Sequence, residues 1–174
     1  MPREFELVTS VPVPLRSGLT HLYKSMNLAD AFAIRLPAGT SSNPDLLARF
    51  IISQQPSWIG WLMKVRDTIA ACFGLKTASH LATLADRIQI FKVYSTNKTE
   101  IVLGEDDKHL DFRISILCPE EGEPEDTRQL VFSTVVHCHN RLGRAYLFVI
   151  APFHRLVVKA SLRSAARVGW PLAA

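Results

Sequence analysis

The sequence predicts an α+β domain, and three observations carry that reading. Four period-two segments follow one another between Ile88 and His139 with only turns and one acidic loop between them. Helical periodicity is confined to an earlier stretch, residues 44–73, and a later one, residues 142–168. The later helix would run about 40 Å at 1.5 Å per residue, so it must lie across a sheet to bury its apolar side. Strands in a run with helices grouped elsewhere exclude a parallel, doubly wound sheet.

Each element has its own local reason. Residues 1–26 hold Pro2, Pro12, Pro14 and Gly18 among polar residues and read as an extended lead-in. From Asn27 to Leu36, Phe32, Ile34 and Leu36 alternate with Ala31, Ala33 and Arg35, a strand stopped by Pro37. Asn43 can cap a helix that starts with Pro44 and Asp45 and ends near Ser53. Ser57 starts a second helix to Phe73, stopped by Gly74, with a stripe of Trp58, Leu62, Val65, Ile69 and Cys72/Phe73, and Trp61 off it. A loop or short turn over Ala78–Asp86 leads into strands at Ile88–Tyr94, Glu100–Gly104, His109–Leu117 and Arg128–His139. The final helix, Leu142 to Val168, contains Pro152, which predicts a kink or restart near Ala151. Residues 169–174 form a tail of what reads as one domain over 1–174.

Composition narrows the class. The chain has 174 residues with 48% apolar and 21% charged side chains, which excludes a disordered tail and a disulfide scaffold. No apolar run reaches the roughly 18 residues of a membrane span, and Met1-Pro-Arg-Glu-Phe-Glu lacks the build of a secretory signal. With Cys72, Cys118 and Cys138 far apart and odd in number, the expectation is a cytoplasmic protein with buried thiols. The net charge of +4 hides three blocks. Residues 1–99 are mildly basic, residues 100–127 hold ten Asp/Glu against two Lys/Arg, and residues 128–174 hold seven Lys/Arg and no acid.

Two segments carry a resemblance. Gly104-Glu-Asp-Asp-Lys-His-Leu-Asp-Phe-Arg and His139-Asn-Arg-Leu-Gly-Arg-Ala-Tyr, the latter leading to Pro152-Phe-His-Arg, resemble a bacterial family catalogued as a domain of unknown function. The likeness extends from about Asp30 to Ala165. It implies a START-like (SRPBCC) helix-grip fold, in which a curved antiparallel sheet wraps around a long C-terminal helix and an apolar cavity often lies between them. It brings no activity and no cofactor with it.

The motifs of serine-hydrolase elbows, phosphate loops, dinucleotide fingerprints and His-Glu-x-x-His metalloproteases are absent from the sequence. Pairing Cys118 with Arg128 sets apolar residues of two strands against each other. It gathers Asp107, His109, Asp111, His137 and His139 at one end of the other face. Those side chains suit a metal or acid/base catalysis; the plainer reading is a hydrated sheet face. Cys138, between two histidines, points the opposite way, toward the core. Arg144 suits an anionic head group or a pairing with Asp111 or Asp107, and His154 lies at the edge of the helix stripe. Arg155, Lys159, Arg163 and Arg167 form a basic row that suits anionic lipid or phosphate backbone, or simply a solvated face. No aromatic is interleaved with that row, which argues against nucleic acid.

The reading is therefore a non-catalytic protein that binds a small apolar or amphipathic ligand between sheet and C-terminal helix. Its candidate residues are Trp58, Phe91, Phe112, Phe132, Arg144, Tyr146, Phe153 and His154. No cofactor, nucleic acid or stable membrane insertion is expected. The rivals are an enzyme on the His/Asp face and an interaction module or homo-oligomer held by the opposed charge blocks.

Overall fold

The computed structural model describes residues 7–72, 87–88, 91–119, 122, 124 and 127–173. Phe73, Gly74, the turn read at Ala78–Asp86 and most of the acidic loop lie outside the described residues. Among the described residues seven strands, β1 (Val8–Val11), β2 (Leu28–Arg35), β3 (Arg87–Ile88), β4 (Phe91–Thr96), β5 (Glu100–Asp106), β6 (Leu110–Leu117) and β7 (Gln129–Cys138), form one antiparallel sheet in the order β1-β2-β7-β6-β5-β4-β3. Among the described residues three helices accompany it: α1 (Pro44–Ser53), α2 (Ser57–Cys72) and α3 (Arg141–Val168). The α+β class and the long C-terminal helix against a curved antiparallel sheet are as the sequence predicts.

Alternation along the strands decides which face each side chain meets. Phe32, Ile34, Ile101, Leu103, Ile114, Ile116, Leu130 and Phe132 face α1 and α3, where they meet Leu47, Ile51, Val158, Leu162 and Ala165 in the main core. Each such side chain, fully buried, contributes about 1.5–3 kcal/mol. Asn43 caps α1 by accepting from the backbone N–H groups of Asp45 and Leu46. Asn140 caps α3 by accepting from Gly143 N–H at 2.9 Å. A Cβ at Gly143 would collide with the His109 carbonyl, so glycine lets α3 start flush against the beginning of β6.

The opposite face is the largest departure from the sequence reading. It is covered, not hydrated, because the lead-in folds across it. Leu19, Tyr23 and Met26 pack on Val102 and Val135, and Val11 and Val13 pack on Ala31, Ala33, Leu117 and Val131. Part of that lead-in is itself β1, paired to β2 from Val8↔Ile34 to Val11↔Ala31. A buried carboxylate fastens the segment: Glu100 accepts from Ser17 Oγ at 2.6 Å, from Ser115 Oγ, and from Gly18 N–H at 3.0 Å.

Other expectations are corrected in detail. The β6–β7 pairing is Ile116↔Phe132 and Leu110↔Cys138, two residues from the register read off the sequence. A slip of two keeps every side chain on its expected face but changes its neighbours. Helix α2 buries Ile59 and Ala70, leaving Trp58, Trp61 and Val65 exposed; the stripe is a half-exposed flank because the helix is rotated toward Arg66, whose Nε donates to Tyr146 Oη at 3.2 Å. Pro152 lies within an uninterrupted α3, on its exposed side, and does not restart it. The segment read as one strand from Ile88 to Tyr94 divides into β3 and β4, which pair with each other. Cys72 is exposed, while Cys118 and Cys138 are buried. The tail returns to the body: Ser41 N–H donates to Pro171 O at 2.9 Å, and buried Trp170 lies against Phe50.

Candidate functional site

Between the sheet and the helices lies a cleft of about 70 Å³. Helix α1 supplies Ile51 and Ile52, with Gln55 just beyond it; the strands supply Phe91, Leu103, Ile114, Ile116 and Phe132; and α3 supplies His154, Val157, Val158 and Ser161. The amphipathic pattern of α1 and the alternation of β5, β6 and β7 point these side chains inward. The lining is therefore apolar apart from Gln55, His154 and Ser161.

Of the candidate residues, the structure brings Phe91, Phe132 and His154 together at this cleft. Phe112 stands behind Phe91, edge to face at 6.0 Å and 87°, and packs on two core clusters. Tyr146 belongs to the second cluster, with Ala70, Leu110 and Cys138, away from the cleft lining. Trp58, Arg144 and Phe153 are exposed and do not line it. Arg144 forms no ion pair with Asp107 or Asp111 among the described residues. Sequence reasoning missed the aliphatic contributors because it sought aromatics; the spacing of Ile51 and Ile52 on α1 and of Val157 and Val158 on α3 was the available signal.

His154 is held at the edge of the cleft. Its Nε2 lies 3.1 Å from Thr134 Oγ1 and 3.7 Å from Asp30 Oδ1, and Arg155 Nε donates to Asp30 Oδ2 at 3.0 Å. Asp30 and Thr134 are register partners on β2 and β7, which explains why both meet one turn of α3. Burial opposes ionisation of Asp30, yet the His154 ring and the Arg155 guanidinium hold its carboxyl below the ordinary range. Thr134 and Asp30 address the same ring nitrogen, whereas a hydroxyl-activating relay needs one on each nitrogen.

The His/Asp end of the other face is assembled differently from expectation. Asp111 lies opposite His137, and His139 Nε2 sits 3.0 Å from Asp111 Oδ1. His137 stacks on Tyr23 at 5.4 Å, with Nδ1 2.8 Å from Ser25 O. His109 turns instead to Asn140 at 2.8 Å, and Asp107 Oδ1 accepts from Lys108 N–H. Among the described residues no three His, Cys, Asp or Glu side chains are placed to hold a metal ion. Nearby, Arg113 Nη2 donates to Asp106 at 2.7 Å and lies over the Tyr94 ring, whose hydroxyl also donates to Asp106 at 2.8 Å. Burial would raise the Asp106 pKa, but these two bonds and the Arg113 charge hold it below its ordinary value. Burial pushes the Cys118 thiol up to about 12 and raises that of Cys138, so both are poor nucleophiles. The cations of α3 reach Asp30 of β2 through Arg155, whereas Arg113 answers Asp106 within the acidic block itself.

The residues that carried the resemblance are explained largely by architecture. Gly104 admits the Phe112 carbonyl of β6 where a Cβ would clash, Asn140 caps α3, and Gly143 admits the His109 carbonyl. No curated protein and no solved structure matches the sequence. A family described as a protein of unknown function, DUF2867, matches residues 22–161, which runs from the end of the lead-in through most of α3. With the greater part of the chain covered, this protein belongs to the DUF2867 family.

Proposed function

We propose that this chain is a START-like, helix-grip protein that holds the apolar end of a small amphipathic molecule between α1, α3 and the sheet, without covalent chemistry. The observation that carries the reading is the apolar cleft with His154 at its edge. Its volume is about 70 Å³, roughly half that of an apolar cavity of ~150 Å³ that accepts benzene. It is also well below the roughly 300–1,000 Å³ of whole-ligand pockets. The fitting occupant is thus a short alkyl end, with the polar end held outside near His154 and Gln55.

Methyl-resolved NMR during titration with decanoic acid tests this. The expected result is shifts confined to Ile51, Ile52, Leu103 and Ile114, and their loss in Val158→Phe, which fills the cleft. Shifts elsewhere, or shifts that survive Val158→Phe, overturn the reading. Native mass spectrometry of freshly purified protein gives a second check, by the mass of any retained apolar molecule.

A further inference from the structure

Helix α3 carries an apolar surface on the side turned away from the sheet. Leu142, Val149, Phe153 and Leu156 recur at helical spacing along one stripe, opposite the buried row of Val158, Leu162 and Ala165. Phe153 is 47% exposed and Leu156 52%, while Phe148 beside them is 82% exposed. Single exposed apolar residues are ordinary, but a row along one helix marks a contact surface. An 18-residue window of this helix is long and apolar enough to cross a membrane, which a search for uninterrupted apolar runs does not detect, and only 22% of it is buried. A core helix that passes the same test is mostly buried.

Charge selects the occupant. Helix α3 contains no acidic residue, and Arg141, Arg144 and Arg163 are exposed along it. Helix α2, which meets the first turns of α3 through Arg66 and Ala70, exposes Trp58 and Trp61 elsewhere on its surface. A second copy of the chain would set one wholly basic helix against another, which like-charge repulsion disfavours. Protruding Phe rings flanked by Arg141 and Arg163 suit the headgroup layer of a bilayer. We propose that this face docks peripherally on the surface of an anionic lipid bilayer. Docking leaves the fold intact, since Val158, Leu162 and Ala165 stay against the sheet and Arg155 stays on Asp30. The proposal is independent of the cleft.

Co-sedimentation of the full chain with phosphatidylcholine vesicles, with and without phosphatidylserine, tests it. Binding is expected with phosphatidylserine only, with steep weakening as salt shortens electrostatic range. Phe148→Ser with Phe153→Ser should lower the partition about tenfold or more. Arg141→Glu with Arg163→Glu should lower it by about tenfold. All four side chains are exposed, and an unchanged circular dichroism spectrum confirms that the variants fold. Absence of binding at low salt, equal binding to pure phosphatidylcholine, or a dimer that the Phe pair abolishes overturns the proposal. Val158→Phe should leave vesicle binding unchanged, so failure of the cleft reading and failure of this one are distinguishable.

Discussion

Toward α1 and α3, the sheet is buried by large aliphatic and aromatic side chains that interlock with two helices. Toward the lead-in, it is buried by smaller residues, Ala31, Ala33, Val131 and Val135, and by a polar fastening at Glu100. The first face gains from area, which is non-directional and tolerant of small shifts. The second depends on direction: one carboxylate accepts from two hydroxyls and a backbone N–H, and each of those three donors would lose its acceptor without it. A thin covering segment of irregular structure offers little apolar area, so specific polar contacts must hold it in place.

The contrast can be broken from either side. Phe132→Ala, on the helix side, should cost about 3–5 kcal/mol, read as a lowered urea midpoint. Glu100→Ala should cost less, about 2–3 kcal/mol, and should expose residues 12–26 to limited proteolysis while the rest stays resistant. Replacing the whole set, Glu100→Leu with Ser17→Ala and Ser115→Ala, should recover most of that loss; no recovery would show that the carboxylate acts otherwise. Asp30 sharpens the comparison through pH. Its folded pKa is lowered, so it contributes stability above its unfolded pKa of about 4, lost as pH falls through the folded value. The drop in urea midpoint between neutral and strongly acidic pH should therefore be smaller in Asp30→Asn than in the parent. The smallest effect is expected at Tyr23, whose buried hydroxyl has no hydrogen-bond partner among the described residues. Tyr23→Phe should leave stability unchanged or raise it by up to about 1 kcal/mol in the same assay.

The legible parts of the sequence were those with local causes. The Asn43-Pro44-Asp45 start of α1, the bounds of α3 to within a residue, and the alternation of β2, β6 and β7 follow from capping and periodicity alone. The illegible parts depend on partners distant in the chain. Alternation on β6 and β7 fixed which residues share a face, but a slip of two preserves that pattern, and nothing local chooses between the two registers. The sheet face opposite the helices reads as hydrated because the segment that covers it, Val11 to Met26, has no periodicity to announce it. Likewise, helical spacing turns Ile51 and Ile52 inward but does not tell a cleft from a filled core, since core-filling and cleft-lining residues are the same types.

The sheet order has a consequence for how the chain comes to be folded. Strand β2, near the start of the sequence, has β7 as its inner neighbour, with Leu28 paired to Val136 and Arg35 to Gln129. During synthesis, β1 and β2 can pair with each other, but the other edge of β2 has no partner until about a hundred residues more have emerged. Closing so long a loop is entropically costly, and topologies dominated by such pairings fold in milliseconds to seconds. The segment Ala31-Phe-Ala-Ile is then an apolar strand edge waiting in the open, the part of the nascent chain most in need of protection from other chains.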